Sequence, residues 1–309
     1  MDLLFLKEIY KKKIWGGGFF REKIPGAPDD GNIGEMWSVA AHPEGDAIID
    51  NGTLAGTPLS KAYGELPALF NNPPAKKFPV LVKIIAAARD LSVQVHPGDE
   101  YAALHENDSG KTEGWLILRA GSDARIVYGH RASCRAELEE MVRSGRWEEL
   151  LNYVSVKAGE FYPIPAGTLH AIGKDIVLLE IQQSSDLTYR LYDYDRLDEA
   201  GRPRPLHLRK ALDVISISRP PQCKDAFASK QVVEEIWDNP YFRVYLINVN
   251  RSFLFPRFRH YGIATVAEGE IIVRERTLSP GKSFIVTGKA ENVEAFGHGR
   301  LALTIPKIR

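Results

Sequence analysis

The stretch GEFYPIPAGTLHAIG, Gly159 to Gly173, decides the fold of this chain. It fits the spacing G-x5-P-x-G-x2-H at Gly159, Pro165, Gly167 and His170. A Pro-x-Gly turn between two runs of apolar residues closes a β-hairpin. The histidine follows this turn directly, so its imidazole re-enters the sheet beside side chains from other strands. The stretch therefore predicts a β-structure with a histidine in its interior.

Short strand-like runs surround this stretch. They are Phe78–Ile85, Leu91–His96, Trp115–Leu118, Ile176–Gln182 and Tyr189–Tyr194. Strands at this density, separated by Gly, Pro, Asn and Asp, indicate a sandwich or barrel rather than a doubly wound fold. Helical periodicity is confined to Ser133–Val154, with Ser133 as the N-cap, and to His207–Ile215. We predict an all-β protein with short helical insertions, the larger at about 133–154.

A domain boundary is predicted near Ser218–Asp225, where two prolines occur without any periodicity. Residues 1–220 then form the first unit and residues 226–309 a smaller C-terminal β-barrel. Its expected strands are Phe242–Val249, Glu270–Arg274 and Ser283–Thr287. The C-terminal unit has Gly and Pro-Gly turns but no clustered histidines. We expect His260 and His298 to be structural or exposed.

The composition favours a small-molecule partner over a polymer. Among 309 residues, 40 Lys plus Arg balance 40 Asp plus Glu, so no global charge attracts nucleic acid or a membrane surface. No apolar run reaches the roughly 18 residues of a membrane span, and the N-terminus lacks the features of a signal peptide. Cys134 and Cys223 stand far apart, which suits a reducing compartment. We expect a cytoplasmic protein.

LSVQVHPGDEYA, Leu91–Ala102, contains the second candidate histidine. Strand alternation places Ser92, Gln94 and His96 on one face, opposite an apolar face that fills the core. The polar face should therefore line a cavity. A lone histidine on a strand is commonly a hydrogen-bonded structural residue. The presence of Gln94 on the same face, and of a Pro-Gly turn after His96, favours a metal ligand instead.

NDSGKTEGW, Asn107–Trp115, adds a carboxylate. Lys111, Glu113 and Trp115 share one face of the predicted strand. A buried carboxylate beside a buried lysine is unfavourable unless something compensates, and a divalent cation bound by Glu113 would do so. The alternative is an exposed Lys–Glu edge strand.

Two imidazoles and one carboxylate leave open positions on a metal, as in catalytic rather than structural sites. The set consists of His96, Glu113 and His170. Zinc, iron(II), manganese and cobalt all accept such donors, and Gln94 would add an amide oxygen.

EIQQSSDLTYRLYDYDR, Glu180–Arg196, has polar residues at every second position. Alternation along this strand places on one face Gln182, Ser184, Asp186, Thr188 and Arg190. Such a row suits a polar site, and the alternative is a solvated strand surface.

Together these stretches resemble the type I phosphomannose isomerases in their short bacterial and archaeal form. The shared motifs are KIWGG around Trp15, IGEMWSVAAHPEG from Ile33, QVHP (94–97), GKTE (110–113), PAGTLHAIG and EIQQSSDLTYRLYDYDR. Gly159–His170 also matches the second motif of the cupin superfamily. The resemblance implies tandem cupin (jelly-roll) barrels and interconversion of mannose 6-phosphate and fructose 6-phosphate.

Residue by residue, the resemblance implies one zinc held by His96, Glu113 and His170, with Gln94 as a fourth ligand. It implies a catalytic role for Arg190, and substrate binding or proton transfer for Lys111 and Asp186. The chain departs from larger members in its shorter helical insertion. It also has Gly110 where some of them carry a histidine.

Two other functions fit part of the pattern. An iron(II) oxygenase also uses two histidines and a carboxylate, but the wide His96–Glu113 spacing and the Asp186/Arg190 row disfavour it. A non-catalytic sugar-phosphate-binding regulator would need an effector or nucleic-acid module, which the sequence does not contain.

Overall fold

The computed structural model describes residues 2–197 and 201–308. Within these ranges the strands are β1 (Leu3–Lys7), β2 (Ile9–Gly17), β3 (Ile33–Val39), β4 (Ala41–His42), β5 (Gly45–Asp46), β6 (Ile48–Ile49), β7 (Val80–Ala87), β8 (Val93–Val95), β9 (Glu113–Ala120), β10 (Arg125–His130), β11 (Leu151–Ser155), β12 (Glu160–Ile164), β13 (His170–Ile172), β14 (Ile176–Gln183), β15 (Tyr189–Tyr192), β16 (Lys224–Asp225), β17 (Val233–Asp238), β18 (Phe242–Leu254), β19 (Gly262–Val273), β20 (Arg276–Leu278), β21 (Ser283–Val286) and β22 (Glu294–Pro306). The α-helices are α1 (Phe19–Lys23), α2 (Leu59–Glu65), α3 (Asp99–Glu106), α4 (Arg135–Arg143), α5 (Trp147–Leu150) and α6 (Leu208–Val214). The prediction of an all-β protein with short helical insertions is confirmed.

Three antiparallel sheets build the molecule. A seven-stranded sheet has the order β16-β12-β9-β14-β7-β3-β2, and a five-stranded sheet has the order β11-β10-β13-β8-β15. The third sheet has the order β17-β18-β22-β19-β21-β1-β6, with β20 paired to β19. A small ribbon of β4 and β5 completes the set.

The seven-stranded sheet is buried on both faces. One face packs against the five-stranded sheet through a core that includes Trp115, Ile126 and Ile172. The other packs against the third sheet through Val82 and Ile285 and their neighbours. Its central strands β7 and β14 are buried along their whole length. This double burial explains why they are almost continuously apolar rather than alternating.

The predicted turn of the deciding stretch lies where β12 passes into β13. The prediction that it closes a hairpin is wrong, because β12 pairs with β9 and β16 in one sheet and β13 pairs with β10 and β8 in the other. Gly167 has a φ of +87°, a left-handed conformation that favours glycine, and a Cβ there would lie 2.9 Å from the carbonyl oxygen of Val214. The amide of Gly167 donates to the carbonyl of His96 at 2.9 Å. The turn thus fastens the start of β13 to the end of β8.

The helical insertion is shorter than predicted. It consists of α4 and α5. The chain becomes strand β11 at Leu151, because Leu151–Ser155 pair with β10. Cys134 rather than Ser133 occupies the N-cap of α4. The Ser133 hydroxyl donates instead to the Glu137 carboxylate at 2.6 Å. The second predicted helix is present as α6.

The strands predicted in the C-terminal part are present, and two of them are longer than expected. This part has a core of its own, which includes Ile247, Val266 and Phe284. Strand β1 pairs antiparallel with β21, so the start of the chain joins this sheet. The division into residues 1–220 and 226–309, and the closure of the second unit into a barrel, stay predictions. Within the described residues, no helix combines the length and apolar content needed to cross a membrane.

Candidate metal centre

His96, Glu113 and His170 meet between the two N-terminal sheets. His170 begins β13 and His96 directly follows β8, while Glu113 begins β9 in the facing sheet. All three side chains are buried, and their candidate ligand atoms lie within 4.8 Å of one another. The predicted grouping of these three residues is therefore present in the structure.

The two histidines present their Nε2 atoms to the carboxylate. His96 Nε2 lies 3.4 Å from Glu113 Oε2, and His170 Nε2 lies 3.5 Å from Glu113 Oε1. The Nδ1 atoms face backbone carbonyls, that of Leu187 for His96 at 2.7 Å and that of Thr168 for His170 at 2.8 Å. Because a carbonyl only accepts, each Nδ1 carries the hydrogen and each neutral ring keeps its Nε2 lone pair towards Glu113.

This arrangement fits a cation better than it fits the protein alone. Among the described residues, His96 Nε2 and both Glu113 oxygens are buried without a hydrogen-bond partner. Burial, and then the charge of Lys111, lower the pKa of His96 to about 4, so its ring is neutral. Burial alone would raise the pKa of Glu113, but the charge of Lys111 holds it well below its usual range. Neutral imidazoles facing a carboxylate form a donor set suited to zinc.

Gln94 lies beside this group. It pairs across the sheet with His170 on one side and with Arg190 on the other. Its Nε2 is 3.4 Å from His170 Nε2, and its Oε1 is 3.5 Å from the Ser92 hydroxyl. The amide nitrogen therefore faces the centre in this arrangement, and a ligand role for its oxygen stays a prediction.

Lys111 is buried with its ammonium 3.3 Å from Glu113 Oε2 and 3.9 Å from Glu180 Oε1. The backbone before it passes very close to another segment. A Cβ on Gly110 would lie 2.5 Å from the amide nitrogen of Asp99 and 2.9 Å from the carbonyl oxygen of Pro97. The absence of a side chain at Gly110 lets this loop approach, and Lys111 N donates to the Pro97 carbonyl at 3.0 Å.

A ladder of buried charges continues from Lys111 along the interior of the seven-stranded sheet. The Lys83 ammonium lies 2.9 Å from Glu180 Oε1 and 4.0 Å from Glu35 Oε2. Lys13, at the outer end, lies 3.1 Å from Glu35 Oε1. The indole nitrogens of Trp115 and Trp37 donate to Glu180 and Glu35 at 2.9 and 2.8 Å.

These charges stabilise one another against burial. Burial would lower the pKa of Lys83, but the carboxylates of Glu180 and Glu35 raise it above its usual range. Burial would raise the pKa of Glu35, but the charges of Lys83 and Lys13 bring it to about 2. The sequence analysis missed these residues. The detectable signal was a single charged residue inside an otherwise apolar strand, as in VLVKII and IVLLEI.

The predicted polar row from Gln182 to Arg190 is wrong as a single strand face. Strand β14 ends at Gln183 and β15 begins at Tyr189, so the intervening residues form a loop in which Asp186 is exposed. The half-buried Arg190 is held by its Nε to the Ser92 hydroxyl at 3.3 Å and by its Nη1 to the Pro205 carbonyl at 2.9 Å. Its alignment with Gln94 keeps it beside the candidate centre.

Two further arginines accompany Arg190. Arg196 and Arg204 both bind the buried carboxylate of Asp193, at 2.5 Å in each case. Burial lowers the pKa of Arg190, and the charges of Arg204 and Arg196 lower it further. Both arginines therefore lie near Arg190. Among the described residues, Arg190 itself contacts only the neutral oxygens of Ser92 and Pro205, so its charge is not paired there with a carboxylate.

Comparison with known proteins agrees with this site. The sequence pattern of the family described as phosphomannose isomerase type I, catalytic domain, matches residues 3–116. The mannose-6-phosphate isomerase of Streptococcus mutans is 42% identical over 269 residues, which cover 86% of this chain and 85% of the relative. The crystal structure of mannose 6-phosphate isomerase from Bacillus subtilis superposes with a TM-score of 0.90 at 33% identity, covering 99% of this chain and 100% of the other.

A zinc-bound mannose 6-phosphate isomerase structure shares the fold at 17% identity, with a TM-score of 0.77 and coverage of 99% of this chain and 100% of the other. The match to the Bacillus subtilis structure confirms the predicted cupin-type fold. By its sequence relatives, its fold and its buried His–Glu–His group, the chain belongs to the type I phosphomannose isomerase family.

Proposed function

We propose that this protein is a zinc-dependent isomerase that interconverts mannose 6-phosphate and fructose 6-phosphate. The observation that carries the proposal is the convergence of two imidazole lone pairs on a buried carboxylate whose oxygens have no hydrogen-bond partner in residues 2–197 and 201–308. Family membership favours this reaction over an iron(II) oxygenase or a non-catalytic regulator. Only two cysteines, both with free exposed thiols, favour a cytoplasmic enzyme.

His96, Glu113 and His170 are the proposed ligands of one zinc ion per chain, with Gln94 as a fourth. When bound, the cation supplies Lewis-acid stabilisation of negative charge on a substrate oxygen. The ligand imidazoles are oriented in advance by their Nδ1 hydrogen bonds, so little rearrangement is needed.

Lys111 is the proposed group that moves the proton between the two carbons of the substrate. Its Nζ lies inside the site, next to Glu113 and Glu180, where water is excluded. A positioned acid or base contributes roughly 10² to 10⁴ in rate. Arg190 remains charged and is proposed to hold the enediolate or phosphate oxygens with its planar fork.

The phosphate is proposed to lie at the edge of the site, where Arg190 is accompanied by Arg196 and Arg204. A dianionic group suits the Arg190 guanidinium, whose contacts among the described residues are neutral oxygens. Asp186, in the loop before β15, is the proposed partner of sugar hydroxyls. Its carboxylate lies near enough to the ladder for its charge to raise the pKa of Lys83, after the larger effects of Glu180 and Glu35.

The test combines metal analysis of the purified protein with a coupled assay for fructose 6-phosphate. We expect one zinc per chain, formation of fructose 6-phosphate from mannose 6-phosphate, loss of this activity with a chelator and its return with zinc. A protein that binds zinc but leaves mannose 6-phosphate unchanged would contradict the proposal.

A further inference from the structure

Gln182 is a fully buried polar residue that the proposed chemistry does not yet use. It lies on β14 directly opposite Glu113 of β9. Residues directly opposite each other in antiparallel strands project from the same face, with Cβ atoms about 4.5–5.5 Å apart. Gln182 is therefore an immediate neighbour of the candidate metal ligand Glu113.

The orientation of its amide is determined by two acceptors. The Gln182 Nε2 donates to the carbonyl of Gln183 at 2.9 Å and to that of Ser185 at 2.5 Å. The opposite orientation would place the amide oxygen against two carbonyl oxygens, which only accept. The nitrogen is thus assigned to the loop after β14, and the oxygen to the other side.

The amide oxygen has no donor among the described residues. Gln182 Oε1 is buried without a hydrogen-bond partner, and a buried acceptor left in this state is unfavourable. The nearby Glu180 differs, because its Oε1 has an ion pair with Lys83 at 2.9 Å and its Oε2 accepts a hydrogen bond from Trp115 at 2.9 Å. An O–H donor from outside the protein would complete the hydrogen bonding of Gln182.

We infer that Gln182 is a substrate-binding residue whose Oε1 accepts a hydrogen bond from a hydroxyl group of the sugar held beside Glu113. The inference rests on the proposed function, because it requires a polyhydroxylated ligand in this site. Gln182 would thus accept a hydrogen bond from a hydroxyl on the carbon chain of the sugar, whereas the arginines bind its phosphate. A resident water has the same O–H chemistry, and the test separates the two donors.

The test uses the zinc-loaded protein and its Gln182→Met variant, which keeps the side-chain length and removes the amide. Binding of mannitol 6-phosphate, which has no carbonyl and cannot isomerise, is measured by calorimetry and compared with binding of inorganic phosphate. We expect the Kd of mannitol 6-phosphate to rise about tenfold, as for one lost hydrogen bond. The Kd of phosphate and the zinc content should remain unchanged.

Phosphate is the internal control for damage to the loop, since the variant also loses the two bonds from Nε2. Equal weakening of both ligands would make Gln182 a purely structural residue and overturn the inference. Unchanged binding of both would assign the donor to water and overturn it as well. If wild-type protein binds phosphate but neither binds mannitol 6-phosphate nor isomerises mannose 6-phosphate, the proposed function itself fails.

A second measurement does not depend on the variant folding. Wild-type protein is titrated with deoxy derivatives of mannitol 6-phosphate that lack one hydroxyl each. At least one derivative should bind about tenfold more weakly than the parent compound. Equal binding of the whole series would contradict a hydroxyl contact at Gln182.

Discussion

His96 Nε2 and Glu113 Oε2 lie 3.4 Å apart in a buried space, and neither atom has a hydrogen-bond partner in the part of the chain that the structure describes. The carbonyl of Leu187 takes the only ring hydrogen of the neutral imidazole. A lone pair and a carboxylate oxygen thus face each other. The Lys111 ammonium, 3.3 Å from Oε2, offsets the carboxylate charge, but the His96 lone pair has no donor among the described residues. A metal cation would satisfy both atoms, which makes this contact the most direct sign of a metal centre in this protein.

The first prediction concerns metal stoichiometry. His96→Ala or His170→Ala should remove the bound zinc, because the loss of one imidazole leaves the cation under-coordinated. Metal content after dialysis checks this. His298→Ala is the control, because His298 is exposed and lies on β22 of the third sheet, outside the candidate metal group. Full zinc content in both ligand variants would refute the assignment.

The second prediction concerns Arg190. Arg190→Ala should keep zinc but lower kcat/KM by about 10² or more, the usual cost of losing a transition-state or phosphate contact. Arg190→Lys should recover only part of this loss, because the two bonds to Ser92 and Pro205 need the guanidinium fork. Steady-state kinetics decide the matter, and near-normal activity of the Ala variant would reduce Arg190 to a structural residue.

The third prediction separates Lys111 from Arg190. Lys111→Met keeps most of the volume and removes the group that moves the proton, so turnover should fall more than binding of mannitol 6-phosphate. Arg190→Ala should weaken that binding as well. Rate at saturation and calorimetry are measured on both variants. If Lys111→Met abolishes binding but leaves saturated turnover unchanged, the two roles must be exchanged.

The fourth prediction uses the Glu35 carboxyl, whose pKa is lowered from 4.5 to about 2. Because the Glu35 pKa is lower in the folded than in the unfolded state, the ionised carboxylate stabilises the fold at pH values above 4.5. This stabilisation disappears as the pH falls towards 2. Glu35→Gln leaves Lys83 and Lys13 short of a partner and should cost about 3 kcal/mol at pH 7. The difference from wild type should shrink by pH 3.

Urea unfolding of the zinc-free proteins at pH 7 and pH 3 measures this difference. Glu22→Gln is the control, because Glu22 is exposed on α1 and its ion pair with Arg21 is long, at 3.9 Å. If Glu35→Gln and wild type differ in unfolding free energy by the same amount at both pH values, the ladder charges do not stabilise the fold.

The fifth prediction concerns Gly110. Gly110→Ala places a Cβ against the backbone of residues 97–99 at 2.5 Å, so the loop carrying Lys111 must move. We expect a loss of about 2 kcal/mol in unfolding free energy and weaker zinc retention. Gly64→Ala is the matched control, since a Cβ there meets nothing within 4 Å and α2 should be unaffected or slightly stabilised. Similar unfolding midpoints for both variants would contradict the close approach at Gly110.

The sequence by itself determined the strand-rich fold and the three candidate ligands. These depend on local physics. Alternation along a strand places Gln94 and His96 on one face, and the Pro-x-Gly turn that ends at Gly167 directs His170 inward. Each signal lies within a few residues, so it can be detected before any strand is paired with another.

Only the tertiary structure decided which distant residues share the interior. The ladder of Lys83, Glu180 and Glu35 depends on β7 lying between β14 and β3, and Gln182 meets Glu113 only because β14 also pairs with β9. The break between Gln183 and Tyr189 likewise depends on where the chain leaves one sheet for the other. Strand order is set by burial and pairing across the whole molecule, whereas alternation describes a single strand.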